Sequence, residues 1–172
     1  MACALAICLI ALIQPSAGLA DDGAEIKAAF IMQIAKFVEW PEGAFEAEAS
    51  PIRVGVLGTS SIYNSLRTEL RGAQANGRGF ELRYLDSIDK ASGVHIIVVT
   101  AEGRKSVRKT ARALRGMPVL SFGPSFQFAE NGGIFGIEIY DGKVAFEVNN
   151  RAAKRAELRI SSRVLKLASS VY

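Results

Sequence analysis

Residues 21–172 contain no cysteine, because the chain's two, Cys3 and Cys8, both lie near its start. That stretch offers no disulfide framework, no thiol nucleophile and no thiolate metal site. Histidine is almost as scarce. His95 stands alone, so a metal site built on a histidine pair is excluded. Its place in the apolar "VHIIVVT" reads as a satisfied histidine of the core or a sheet end, not as a catalytic base. There is no GxSxG nucleophile elbow, no complete GxGxxG and no Gly-Lys-Ser/Thr phosphate loop. The two glycines of "VGVLGTSS" sit at a strand end before a helix and read as tight packing geometry. Glu130, Glu138, Asp141 and Glu147 show no diagnostic carboxylate spacing. No catalytic residue, metal ligand or cofactor is assigned, and an enzyme is the weaker class.

Charge is missing too, from the first twenty residues. "ACALAICLIALI" is an unbroken apolar run that rises only ~18 Å as a helix, too short for a hydrocarbon core of ~30 Å. Gln14 and Pro15 end it, and "SAGLA" then places Gly18 and Ala20 at the −3 and −1 positions of a cleavage site. The pattern predicts a secretory signal peptide over 1–20, although no Lys or Arg precedes the run. The expected product is a periplasmic chain beginning near Asp21, with 21–172 as one domain. A net charge of +4 and a pI near 9.2 invite a nucleic-acid reading. Export removes it: such a protein does not meet the chromosome.

What is present is α/β patterning. Ile26, Phe30, Ile34, Phe37 and Val38 recur at helical spacing, predicting an amphipathic helix over 24–40 that Pro41 ends and that buries Phe30, Ile34 and Phe37. Strands are predicted at 52–58, 80–85, 94–100 and 117–122, with helices at 62–70 and 105–114 between them. The β-branched run at 94–100 suits a strand covered on both faces. "FQFAENGG" reads as a helical turn. Residues 134–149 alternate around Asp141-Gly142, a strong hairpin signal. Strands alternating with helices and closed by a hairpin predict a three-layer α/β sandwich, a mixed central sheet flanked by helices, with short helices after the hairpin.

The tail that follows carries Arg151, Lys154, Arg155, Arg159, Arg163 and Lys166 every three or four residues. Residues 151–157 predict a short helix with Ala152, Ala153 and Ala156 inward. Ile160, Val164, Leu165 and Leu167 make a second stripe, with Ser161 and Ser162 as caps. Two readings stand for the cations: a solvated face, or a docking surface for an acidic or membrane-bound partner. Glu147 likewise reads either as an exposed strand residue or as the partner of Arg159 or Arg151 in a polar pocket.

Three blocks together, "IKAAFIMQIAKFVEWP", "IRVGVLG" and "GGIFGIEIYDGKVAFEVNNRAAKRAELRISSRVLKLA", resemble the YfiR family of periplasmic proteins. The similarity spans essentially all of 21–172. It implies a three-layer α/β fold and regulation without catalysis: binding of the periplasmic domain of a membrane diguanylate cyclase or sensor kinase, held inactive. It also implies an outer-membrane lipoprotein that sequesters the repressor, and homodimers. Matched residue by residue, Phe135, Glu147, Arg159 and Ser161 fall on a surface pocket of the family. Arg151 and Arg155 join them as candidate partner- or ligand-binding residues from the basic tail. The competing class is a small-ligand sensor whose α/β crevice binds an amino acid or similar metabolite, and a hydrolase comes third.

Overall fold

A computed structural model describes residues 22–58, 60–100 and 104–172, so the predicted signal peptide lies outside the described residues. The chain opens with helix α1 (Asp22–Ala35) and a two-residue strand β1 (Val38–Glu39). Then come β2 (Ile52–Leu57), α2 (Ser60–Glu69), β3 (Phe80–Tyr84), β4 (Ile96–Val99), α3 (Arg104–Ala113) and β5 (Leu120–Gly123). A short α4 (Phe126–Glu130) precedes the hairpin β6 (Phe135–Tyr140) and β7 (Lys143–Val148). The tail holds α5 (Asn150–Arg155), β8 (Arg159–Ile160), α6 (Ser162–Leu165) and β9 (Ser170–Val171).

Seven strands form one mixed sheet in the order β3-β2-β4-β5-β6-β7-β9. Its pairs are parallel except β6 with β7. Because side chains alternate across a strand, β4 serves both faces. Ile96 and Val98 join a core with α1, α2 and α5, while Ile97 and Val99 join a core with α3 and α4. Two cores on two faces make the predicted three-layer α/β sandwich. The β-branched run at 94–100 is apolar throughout for that reason.

The hairpin turns on Asp141 and Gly142, with φ of 47° and 71°. Both values are positive, as a type I′ turn requires. On the α3 face, Phe128 explains the glycines around it. A Cβ added to Gly123 or to Gly133 would lie 2.1 Å from the Phe128 ring. The fully buried ring is thus seated between two backbones that only glycine leaves open.

Two expectations are corrected. The first helix does not run to Trp40. Lys36 and Phe37 donate their N–H groups to Gln33 and Ile34 in a tightened last turn. Val38 and Glu39 then pair antiparallel with Ile160 and Arg159, so strand pairing wins before Pro41 acts. The helix accordingly buries Ala24, Ala28, Ile31, Ile34 and Ala35, whereas Phe30 and Phe37 are only partly covered. The tail does hold its two short helices, but not in direct succession. Glu157 adopts φ 58° and the Leu158 N–H reaches the Ala153 carbonyl, closing α5 in a Schellman-type end and releasing Arg159–Ile160 as a strand.

Candidate functional site

In this sheet the first strand to form a parallel pair, β2, lies between β3 and β4. The chain thus winds in both directions from β2, and a crevice opens where it reverses, at the carboxyl ends of the strands. A cavity of about 140 Å³ occupies that place. It is walled by Ile31, Ile62, Val98, Phe122 and Ile137, with Lys27 and Pro124 on its lining. Lys27 reaches it from α1 and makes no ion pair among the described residues. The site is mostly apolar, with one cation and the hydroxyl side chains of Ser61 and Thr100 on its lining.

A second surface is built by the tail. Arg151, Lys154, Arg155, Arg159, Arg163 and Lys166 are all exposed. None forms an ion pair among the described residues, where the cations that do are Arg53, Arg83 and Lys90. Helix α5 presents its cations because Asn149 caps it, accepting the Ala152 N–H at 2.8 Å, and because Ala152 and Ala153 hold the opposite face in the core. Lys154 and Arg159 border an open groove of about 540 Å³ with Trp40, Pro41 and Leu158. Glu39, Glu42 and Glu157 stand on the same walls.

The floor of the neighbouring 41–50 turn is pinned from the sheet. His95 is buried, accepts the Arg53 N–H on Nδ1 at 2.9 Å and holds the Ala44 carbonyl through Nε2 at 2.9 Å. Desolvation, ahead of the nearby arginines, pushes its pKa below the usual 6.5 although the Ala44 bond opposes this, so the ring is neutral at pH 7. Phe45 stacks on it at 4.3 Å, and the Arg78 guanidinium lies over the Phe45 ring, 3.9 Å from its centroid. Arg78 also donates to the Ala47 and Ser50 carbonyls. His95 is a structural residue.

The sequence-predicted residues do not converge on one pocket. Phe135 is fully buried, its ring 5.0 Å from Phe122 and 6.1 Å from Phe146, so it belongs to the core and not to a surface. Glu147 is neither exposed nor paired with Arg159 or Arg151. It is 8 % exposed and accepts a 2.6 Å bond from the Tyr172 hydroxyl. That bond exists because β9 runs beside β7 and puts Ser170 opposite Glu147. Arg159 faces Glu39 in register on the small β1–β8 ribbon instead. Ser161 caps α6 by accepting the Arg163 N–H at 3.3 Å. Arg151, Arg155 and Arg159 do share the exposed tail. Lys27, Trp40 and Arg78 were missed. Arg78 follows Asn76-Gly77, a turn dipeptide with φ of 52° and 77°, which was a legible signal for a pinned loop.

Residues 24–169 match the YfiR/HmsC-like family. The chain belongs to that family. YfiR/HmsC-like proteins are periplasmic regulators of cyclic di-GMP signalling, not enzymes. Among the described residues no helix is long and apolar enough to cross a membrane. Two solved structures share the fold. One is described as an ABC domain in complex with L-Trp from Streptococcus pneumoniae, 14 % identical, with a TM-score of 0.55 over 84 % of this chain and 60 % of that one. The other is a conserved domain protein from Vibrio cholerae O1 biovar eltor, also 14 % identical, with a TM-score of 0.57 over 87 % and 60 %. The YfiR/HmsC-like chain thus spans 60 % of the length of either relative.

Proposed function

We propose that this YfiR/HmsC-like chain is a non-enzymatic repressor that binds the periplasmic sensing domain of an inner-membrane diguanylate cyclase, using the basic tail as its docking surface. The observation that supports it is the run of six exposed cations on 151–166 without an ion-pair partner among the described residues. Charges left unneutralised on a folded surface steer association with an acidic partner and penalise a basic one. Arg151, Arg155 and Arg159 make the docking contacts in this reading, with Trp40 and Pro41 supplying apolar surface beside them. An outer-membrane lipoprotein that competes for the same face relieves the repression.

The test is cyclic di-GMP in cells carrying a membrane diguanylate cyclase that co-purifies with the protein. Wild-type protein should lower it. Reversal of Arg151, Arg155 and Arg159 to Glu should abolish the effect and the co-purification while leaving the melting temperature nearly unchanged, because exposed charges contribute only ~0–1 kcal/mol per pair to folding. Unaltered repression by the triple variant would leave the tail as a solvated face.

A second reading rests on the crevice. Its mostly apolar walls and Lys27, which makes no ion pair among the described residues, suit a small molecule with an apolar body and an anionic group, and the Streptococcus protein's amino-acid complex makes L-Trp a sensible first probe. Calorimetric titration with L-Trp and short carboxylates, on the wild type and Lys27→Ala, tests it. Binding that ignores Lys27 would remove the crevice from consideration.

A further inference from the structure

The sheet has one long open edge, β3, and its residues are self-complementary. On its inner side β3 pairs with β2. The Gly79 carbonyl accepts from the Ile52 N–H, and the Leu85 N–H donates to the Val56 carbonyl. Backbone groups alternate sides along a strand. Odd-numbered residues therefore turn their N–H and C=O groups towards β2, and Phe80, Leu82 and Tyr84 turn theirs outward, where β3 ends the sheet.

The side chains alternate in the same way. Phe80 and Leu82 pack partly against the α1–α2 core, and Tyr84, 53 % exposed, leans edge-on to Tyr63 of α2. Glu81 and Arg83 point to the opposite face. They pair with each other at 2.7 Å, and Arg53 stands 3.7 Å behind Glu81. An outward edge carrying partly exposed apolar side chains is a template for another strand.

We propose that β3 pairs antiparallel with β3 of a second copy, about a two-fold axis through Leu82. The register follows from the edge itself. Only outward-facing residues can exchange hydrogen bonds, so Phe80, Leu82 and Tyr84 must oppose even-numbered residues. Opposing Phe80 with Leu82 sets Glu81 against Glu81, and opposing Leu82 with Tyr84 sets Arg83 against Arg83. Centring on Leu82 sets each Glu81 against the other copy's Arg83, twice, in the closely spaced non-hydrogen-bonded positions. It also sets Phe80 beside Tyr84 at both ends, an aromatic cross-strand pair. Such an interface is isologous and closes on itself, so it makes a dimer and not a fibre.

Sedimentation velocity on the protein, from micromolar to hundreds of micromolar, should show a monomer–dimer equilibrium. Glu81→Arg alone, or Arg83→Glu alone, sets like charges face to face at both positions and should weaken the dimer by roughly tenfold or more. An equimolar mixture of those two variants should dimerise again, because each copy then offers only the charge the other needs. The double exchange Glu81→Arg with Arg83→Glu should dimerise like the wild type. Circular dichroism of each variant separates lost pairing from lost folding. A wild type that stays monomeric throughout overturns the proposal. So does a dimer indifferent to the single reversals, or a mixture that fails to recover.

Discussion

Tyr172 donates its hydroxyl to the Glu147 carboxylate at 2.6 Å, a partner that neither reading of Glu147, exposed or paired with an arginine, foresaw. The hydrogen bond, then desolvation, raises the Tyr172 pKa from 10.0 to about 12. A raised folded-state value favours the protonated phenol. The bond's contribution is therefore complete below pH 10 and is lost as the pH climbs from 10 towards 12. An absorbance titration should show a tyrosine step near pH 12, and Tyr172→Phe should delete that late step. The same substitution strands a buried carboxylate and should cost about 1–3 kcal/mol in a denaturant melt.

His95 predicts the opposite pH limb. Its folded-state pKa is depressed, so the neutral ring stabilises the fold above 6.5 and that stability is lost as the pH falls below it. Melting temperature should decline from neutral pH into the mildly acidic range. His95→Asn keeps an acceptor for the Arg53 N–H but titrates no longer, and should flatten that decline.

Phe128 and Gly133 should be energetically coupled. Gly133→Ala forces a methyl into the ring and should destabilise by about 1–3 kcal/mol. Combined with Phe128→Leu, the alanine should cost less than it does alone, a non-additivity that thermal melts of the four chains measure.

Arg159 should matter little to stability. Its carboxylate neighbour in register is Glu39, not Glu147. Arg159→Glu alone should shift stability by less than about 1 kcal/mol, and Glu147→Gln should not rescue any of it. A rescue would restore the pocket reading of these two residues.

On the first helix, Ile31 should outweigh Phe37. Ile31 is buried in the core and its truncation to alanine should cost about 2–5 kcal/mol. Phe37 is only partly covered, and its truncation should cost less. Urea melts rank the two directly.

The fold was legible where local chemistry and tertiary contacts agree. Asp141-Gly142 could only turn back a hairpin, and the run at 94–100 could only sit between two cores. It was illegible where two residues are settled by a distant partner. Val38 and Glu39 fit a helical stripe as well as a strand, and the tail that decides between them lies far along the sequence. Glu147 failed for the same reason: alternation gives its face, but only the return of β9 reveals Tyr172. The basic tail was readable as charge. Its grouping with Trp40 and Pro41 was not, because that depends on the β1–β8 ribbon.

That ribbon also sets an order of events. Val38–Glu39 and Arg159–Ile160 come from opposite ends of the described chain, and the Ser161 N–H reaches back to the Phe37 carbonyl. A contact of such long sequence separation carries a loop-closure cost that falls once the rest of the sheet has brought its halves together. Loop-closure cost therefore favours late assembly of the ribbon, and with it of the groove beside Trp40 and Arg159, on a sheet that already exists. A partner that reads this groove would report on completed folding as well as on presence: half-folded copies would be silent to it.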